Sequence, residues 1–440
     1  MDLDKMKQST TRMILQFAVP SIIGMVLTSF ITVADGFFIG NYVGKEGIAA
    51  VNLGLPVIYL FLGIGLMVSV GGVAIAGMAF GAGDKEKCNQ IFRQTIATTA
   101  GGAILTGLMV FLFFEPMLNL LGADGLVRDY FYTYYIVLLP ELVVMVVNSS
   151  FGMFIRGEGK PQFYMKVNVI CVVMNIALDY LFAGVLNTEI VGIAAASLIS
   201  ALVSLAFILY FFFKKAQVYR LGKFFFSISV LKRTLLNGSS EFIGEMSTGI
   251  AMFAYNFVIM QRIGVDGVSA FTIVGYIAYM FSMVVIGFGQ GASPLISFSY
   301  GAQEKALAGK IRQKTNGLVF IMGVLIFLLM TIFSGWYGEL FVKNAAVQEM
   351  VKAGISIFMV SFFFSGINAI TSFYFTSTGR ALESAVISSA RGLVILLICI
   401  FVLPVYFGMT GVWMAAPVTE GITFGISIFY IKREMKISLL

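Results

Sequence analysis

Long apolar segments follow one another along almost the whole chain, and few sequence features restrict a fold so strongly. Twelve of them are long enough to cross a bilayer, for which an α-helix needs about 20 residues. They are 13–38, 48–79, 91–113, 131–155, 162–184, 190–213, 235–260, 268–299, 312–335, 349–377, 384–406 and 409–431. Because backbone polar groups in lipid must be satisfied within the protein, this pattern predicts an all-α polytopic membrane protein.

The composition agrees with this class and argues against several others. Of the 440 residues, 59% are hydrophobic and only 12% are charged, far from the values of a soluble globular domain. There is no histidine, and Cys88, Cys171 and Cys399 are isolated, so we expect neither a disulfide framework nor a Cys/His metal site. The polar N-terminus runs directly into the first span, so we expect no cleaved signal peptide.

Lysine and arginine are unevenly divided between the two sets of loops. With twelve spans, 24 of the 29 basic residues fall at the termini and in every second loop. The other set holds only Lys45, Arg128, Arg262, Lys343 and Lys352. Since cytoplasmic loops hold most basic residues, this division predicts that both termini are cytoplasmic. It explains the net charge of +7 by topology and contact with membrane lipid, with no support for nucleic-acid binding.

An internal repeat divides the chain into two halves. Residue i matches residue i+220, so that VGKEGIAAV at 43–51 aligns with IGVDGVSAF at 263–271. Over the first two spans this alignment gives 14 identities, where composition alone would give roughly five. Six spans in each half make these parallel repeats, two lobes that enclose a central cleft. The predicted units are an N-lobe at 1–213, a basic cytoplasmic linker at 214–233 and a C-lobe at 234–440.

Carboxylates inside the apolar segments are costly in lipid and therefore indicate a functional site. Asp35 lies roughly 33 Å along the first span and Asp179 roughly 26 Å along the fifth, at similar depths. Asn175 shares a helix face with Asp179, and Ser197 lies at a comparable level in the sixth span. Two neighbouring carboxylates in a low dielectric do not easily both ionise, so the group predicts a proton or cation site. Depth does not fix direction, so separate sites, with Asp35 meeting water at the outer rim, remain an alternative.

These carboxylates are confined to one half of the repeat. Asp35 aligns with Tyr255 and Asp179 with Cys399, which favours a specific ion site over a scaffolding role. Oxygen ligands of this kind suit H⁺ or Na⁺ better than transition metals, which makes Asp35 and Asp179 candidate Na⁺ ligands. Pro20 lies in the first third of the span that carries Asp35, and its missing N–H predicts a helix bend there.

Other intramembrane residues are candidates for the lining of the cleft. Glu245 lies about 15 Å along the seventh span, near the midplane where repeat transporters hold substrate, with a structural hydrogen bond as the alternative. A cleft that accepts varied ligands needs adaptable apolar and aromatic groups. By depth and polarity the further candidates are Glu141, Met145, Asn148, Met174, Tyr276 and Asn368. Glu420 lies near mid-depth with its direction undetermined, and we expect Glu241, nearer the inner surface, to be solvated.

The chain resembles the multidrug and toxic compound extrusion (MATE) family over essentially its whole length, and most of all its bacterial DinF-type and MepA-type branch. The resemblance is carried by Pro20, ADGFFIG around Asp35, GKEGIAA after the first span, RGEGKP at 156–161 and the Asn175/Asp179 spacing. It implies a monomeric secondary transporter of the bacterial cytoplasmic membrane that expels cationic amphipathic drugs or dyes in exchange for H⁺ or Na⁺.

The resemblance also implies roles for individual residues. Asp35, Asn175, Asp179 and Ser197 would form the coupling site of the N-lobe, with the first helix bending near Pro20 as that site changes state. Glu245 matches a glutamate that the NorM-type branch uses for a second cation site. Segment ten, however, offers Asn368 and no carboxylate, so a complete second site is not expected.

Three other functions are alternatives to transport by exchange. A flippase for a lipid-linked precursor, from the same wider superfamily, would share the two-lobed plan but usually has a strongly cationic cavity, whereas this chain has intramembrane acids. A membrane enzyme would normally need histidine, a metal cluster or a nucleophile motif, and the sequence contains none. A channel remains an alternative that uphill transport would exclude. The sequence contains no nucleotide-binding P-loop, so it gives no support for ATP-driven transport.

Overall fold

The computed structural model describes residues 3–120 and 122–438, and the regular secondary structure in these ranges is entirely helical. The first half contains six long helices, which we number α1 to α6. They are α1 Thr10–Phe38, α2 Leu55–Gly81, α3 Lys85–Leu112, α4 Gly125–Gly157, α5 Pro161–Asp179 and α6 Glu189–Lys214. The π turns Ile39–Val43 and Tyr180–Val185 extend α1 and α5.

The second half repeats this arrangement with α7 to α12. The first four are α7 Ile228–Arg262, α8 Val265–Gly301, α9 Lys305–Ile332 and α10 Ala345–Phe358, which is continued by Phe362–Ser377. Helix α11 begins with Ala381–Ser389 and the π turn Ala390–Val394, and it is continuous with α12 in the stretch Ile395–Ser438. That stretch divides at Gly408, where φ is 54° and ψ is −134°; α11 ends there and α12 follows. Among the described residues, eleven continuous helices are long and apolar enough to span a membrane, and the last of them contains this division. The predicted number of spans, twelve, is therefore confirmed, whereas the start of the predicted span 48–79 belongs to a separate short helix, Lys45–Leu53.

The internal repeat is visible in the backbone itself. Gly44 and Gly159 have φ of 100° and 85°, and their counterparts 220 residues later, Gly264 and Gly379, have 95° and 78°. These left-handed positions lie at connections between helices, where glycine adopts a positive φ without steric cost. The same backbone turn therefore recurs at the same place in each half, which confirms two repeated lobes.

The two halves meet along two long helix pairs, α2 with α7 and α1 with α8. At Gly71 in α2, a Cβ would lie 2.1 Å from the carbonyl oxygen of Thr234 in α7, and at Gly291 in α8 it would lie 2.6 Å from Cα of Ala18. The backbones are therefore in direct contact, as small residues allow between membrane helices. These contacts lie in the parts of the helices nearest the connection between the halves, which we call the linker end.

The linker itself, residues 215–227, is fastened to α3 by side chains. Asn89 donates to the carbonyl of Val218 at 3.0 Å and accepts from the N–H of Arg220 at 2.6 Å. Gln94 bonds both the carbonyl and the N–H of Ser227, at 2.8 and 3.1 Å. These amides satisfy backbone groups as a neighbouring strand would. The linker is therefore an ordered part of the first half, and α7 begins directly after it.

Replacing both Asn89 and Gln94 by alanine should release the linker. Four hydrogen bonds would be lost, each worth about 1 kcal/mol, so local opening becomes easier and trypsin should cut after Arg220 and Lys223 at least ~10-fold faster. Limited proteolysis in detergent measures this rate. The matched control is Glu86→Ala, an exposed residue on the same helix. Wild-type cleavage of the double variant would contradict the fastening role.

Candidate functional site

The four polar residues predicted to share one depth come together inside the first half. Asn175 Nδ2 donates to Ser197 Oγ at 3.1 Å, and Ser197 Oγ donates to Asp35 Oδ2 at 3.3 Å. The carboxyl groups of Asp35 and Asp179 lie within hydrogen-bonding range of each other. Asn175 and Asp179 are fully buried, and Ser197 is 7% exposed. Helices α1, α5 and α6 thus each contribute to one polar cluster, which we call the N-lobe cluster.

The N-lobe cluster has more acceptors than donors. Asp35 Oδ1, both carboxylate oxygens of Asp179 and Asn175 Oδ1 receive no hydrogen bond from the described residues. Two ionised carboxylates placed together in a buried site are unfavourable unless a proton or a cation lies between them. The donor set, carboxylate and amide oxygens only, fits H⁺ or Na⁺. Among the described residues no group of three or more His, Cys, Asp and Glu could hold a metal ion.

Two residues of α4 adjoin this cluster. Tyr134 and Glu141 both lie near enough to Asp35 for their charges to interact. Glu141 is 9% exposed, so the structure places it inside the first half and not in the cleft where the sequence placed it. Tyr134 was missed by the sequence analysis. Its spacing of seven residues from Glu141, which puts both on one helix face, is the signal that could have identified it.

The other residues predicted to line the cleft range from fully buried to exposed. Asn148 is buried and donates to the carbonyl of Ala201 at 2.9 Å, and Asn368 is fully buried and bonded to Glu420. These two asparagines therefore join helices within their own halves, which corrects their predicted place in the cleft. Met145 packs against the core of the first half, and Met174 is half-buried. Tyr276 is 52% exposed and stacks on Phe341.

Glu245 does lie between the halves. A Cβ at Gly63, in α2, would lie 3.6 Å from Cβ of Glu245, and the phenol of Tyr59 in α2 interacts with the Glu245 charge. Glu241, one turn closer to the linker end, interacts with Glu245 and with Arg391. It is half-buried, and its solvation stays a prediction. Glu241 and Glu245 thus form an acidic stretch of α7, which we call the acidic wall, and Glu245 adjoins the first half.

Helix α1 passes Pro20 without interruption. Pro20 is buried, and the next residue, Ser21, donates its hydroxyl to the carbonyl of Phe17 at 2.8 Å. The departure of α1 from α-helical geometry is the π turn Ile39–Val43, a few residues beyond Asp35. The bend predicted at Pro20 is therefore not a break in the helix in this structure.

Two repeated six-helix halves, an acidic wall between them and a buried carboxylate cluster in one half define a multi-pass membrane protein of the two-lobed transporter class. The family model described as MatE matches residues 20–181 and 242–403, once in each half. The chain therefore belongs to the MatE family, whose members are transporters and not enzymes.

Individual relatives are similar along almost the whole chain. A multidrug export protein MepA from Staphylococcus saprophyticus is 23% identical, covering 97% of this chain and 95% of the relative. The Vibrio cholerae MATE transporter VcmN, in a form with an aspartate-to-asparagine substitution, has a TM-score of 0.92 at 19% identity, with 98% of each chain covered. A MOP superfamily transporter from Pyrococcus furiosus, described as having a binding pocket of reversed polarity, has a TM-score of 0.89 at 22% identity, covering 96% of this chain and 95% of that one.

Proposed function

We propose that the protein is a multidrug efflux transporter that exports cationic amphipathic compounds in exchange for H⁺ or Na⁺ by alternating access. The observation that carries this proposal is the pair of half-buried Asp35 and fully buried Asp179, three of whose four oxygens receive no hydrogen bond from the described residues. The names of the relatives support export of multiple drugs. The acidic α7 wall supports positively charged substrates and argues against the strongly cationic cavity of a lipid-precursor flippase.

Helix α1 connects the N-lobe cluster to the interface between the two halves, so a movement at one can reach the other. It carries Asp35 in its outer part, while its linker-end part packs on α8, where a Cβ at Gly287 would lie 2.6 Å from Cα of Ile22. A proton or Na⁺ on the N-lobe cluster removes repulsion between Asp35 and Asp179, so α1 and α5 approach; its release separates them. A shift of α1 then reaches the contact with α8 directly, and the two halves rock about the cleft.

We also propose the membrane topology, the location and the oligomeric state of the protein. Both termini and the linker are cytoplasmic, as the distribution of lysine and arginine predicts. The protein acts as a monomer in the bacterial cytoplasmic membrane, with the coupling ion and no other cofactor. Asp35 and Asp179, with Asn175 and Ser197, hold that ion.

Transport of a fluorescent cation tests this function. The purified protein is reconstituted in liposomes, and ethidium accumulation is followed under a pH gradient and, separately, under a Na⁺ gradient. We expect one gradient to drive ethidium against its own concentration, which also identifies the ion and excludes a channel. If neither gradient moves the dye above equilibrium, the proposal is wrong.

A further inference from the structure

An ion pair lies inside the second half, away from the N-lobe cluster. Arg391, in the π turn of α11, donates from Nε and Nη2 to Glu420 Oε1 at 3.1 and 2.7 Å. The other oxygen of Glu420 accepts from Asn368 Nδ2 at 2.7 Å, and Ser427 donates to Asn368 Oδ1 at 2.9 Å. The Glu420 side chain is 11% exposed and that of Arg391 is 29% exposed. This network joins α10, α11 and α12.

The fold does not require this ion pair. At the corresponding positions of the first half, 220 residues earlier, Arg391 is replaced by Cys171, Glu420 by Ser200 and Asn368 by Asn148. Cys171 and Ser200 lie close to each other there, and Asn148 donates to the carbonyl of Ala201, in the same stretch of α6. A neutral pair therefore connects the same helices in the same repeat. The charges of Arg391 and Glu420 call for a reason beyond helix packing.

Besides Glu420, Arg391 Nη2 donates to the carbonyl of Ser365 at 3.4 Å, and the acidic wall of α7 offers a charged alternative partner. Glu241 interacts with the charge of Arg391 and with that of Glu245, which is one turn away on the same face of α7. The two helices are in direct contact here, since a Cβ at Gly392 would lie 2.7 Å from Cβ of Ser247. The arginine side chain is bonded to Glu420 and is 29% exposed, and its charge acts on Glu241 of the wall.

We propose that Glu420 holds Arg391 away from Glu241 and Glu245, and that this restraint keeps the acidic wall available for a cationic substrate. Without this restraint, Arg391 would compete with the substrate's positive charge for Glu241 and Glu245. Glu420 therefore determines specificity without contacting the substrate. The two hydrogen bonds from Arg391 to one carboxylate oxygen, together with the bond from Asn368, orient this restraint. The inference rests on the proposed export of cations.

Glu420→Gln tests the restraint because it removes the charge and retains an oxygen for Asn368. The freed guanidinium should pair with Glu241, so KM for ethidium should rise at least tenfold. It should rise further for propidium, which has the same ring system and one more positive charge. The second substitution in Glu420→Gln/Arg391→Gln removes the competitor and should return both KM values to within about twofold of wild type. Glu434→Gln, in the Arg380–Glu434 pair at the linker end of the same helices, is the control and should leave KM unchanged.

The outcomes are distinguishable. If wild type transports ethidium but Glu420→Gln keeps its KM, or if the double variant is as impaired as the single one, the restraint is refuted while the export function stands. If wild type transports neither dye, the function itself fails and the inference fails with it. Should the single variant not fold, Glu420→Gln/Arg391→Lys takes its place, since it keeps a free cation. It should show the raised KM that Glu420→Gln/Arg391→Gln lacks, and equal KM values would overturn the inference.

Discussion

Asp35→Asn should abolish ion-driven accumulation of ethidium while leaving the protein folded. Asparagine keeps the size of the side chain and can donate to the oxygens of Asp179 that now receive no hydrogen bond, so the melting temperature should not fall. It cannot bind and release a proton, and it removes one of the two charges that would hold Na⁺. A gradient of two pH units supports accumulation of ~100-fold in an electroneutral one-to-one exchange, and in the variant this ratio should fall to one.

The repeat supplies a matched control for this prediction. Tyr255 occupies the position of Asp35 in the second half, is buried, and has a hydroxyl without a hydrogen-bond partner among the described residues. Tyr255→Phe removes that hydroxyl and should keep the wild-type accumulation ratio. Asp179→Asn should behave like Asp35→Asn, because either substitution leaves a single carboxylate in the cluster. Full gradient-driven accumulation by either asparagine variant would refute the coupling role of the pair.

Most of the fold could be predicted from the sequence, because backbone polar groups in lipid must be hydrogen-bonded within the protein. Twelve apolar segments and a gapless repeat follow from satisfying the backbone within helices and duplicating one half. Within the described ranges, one helical stretch, Ile395–Ser438, contains a boundary between two spans, which Gly408 marks. The predicted spans at 384–406 and 409–431 fall on either side of it.

The sequence predicted the depth of polar residues better than their direction. Depth follows from counting residues along a helix, and it correctly brought Asp35, Asn175, Asp179 and Ser197 to one level. Direction depends on how each helix is rotated against its neighbours, which one chain does not reveal. Glu141 was therefore assigned to the cleft although it is buried near Asp35.

Ion pairs between residues far apart in the sequence were harder to predict than depth or direction. The sequence does not reveal the role of Arg391, because its partner Glu420 lies 29 residues away on another helix. A charged residue seven positions into a predicted span was nevertheless a signal that it must have a partner in the protein. Counting charges inside spans separately from those in loops would have identified it.

Gly238→Leu should prevent the halves from closing at the linker end. A Cβ at Gly238, in α7, would lie 1.8 Å from the carbonyl oxygen of Met67 in α2, whereas ordinary van der Waals contact begins at 3.4 Å. The obstacle is backbone, which cannot rotate aside as a side chain can, so α7 and α2 must separate. Because alternating access needs this end closed in one of its two states, ethidium transport should fall at least ~10-fold, the loss that about 1.4 kcal/mol against that state produces.

The separation can be measured directly by spin labels at Lys85 and Lys305. These exposed residues are repeat counterparts at the starts of α3 and α9, one in each half at the linker end. In a background where Cys88, Cys171 and Cys399 are replaced by serine, Lys85→Cys and Lys305→Cys carry the labels. Gly238→Leu should shift their distance distribution to longer values. Gly244→Leu, on the same helix with nothing within 4 Å of its Cβ position, should leave both distance and transport unchanged. An unchanged distance in Gly238→Leu would mean that α7 and α2 accommodate the side chain locally, and that this contact does not control closure.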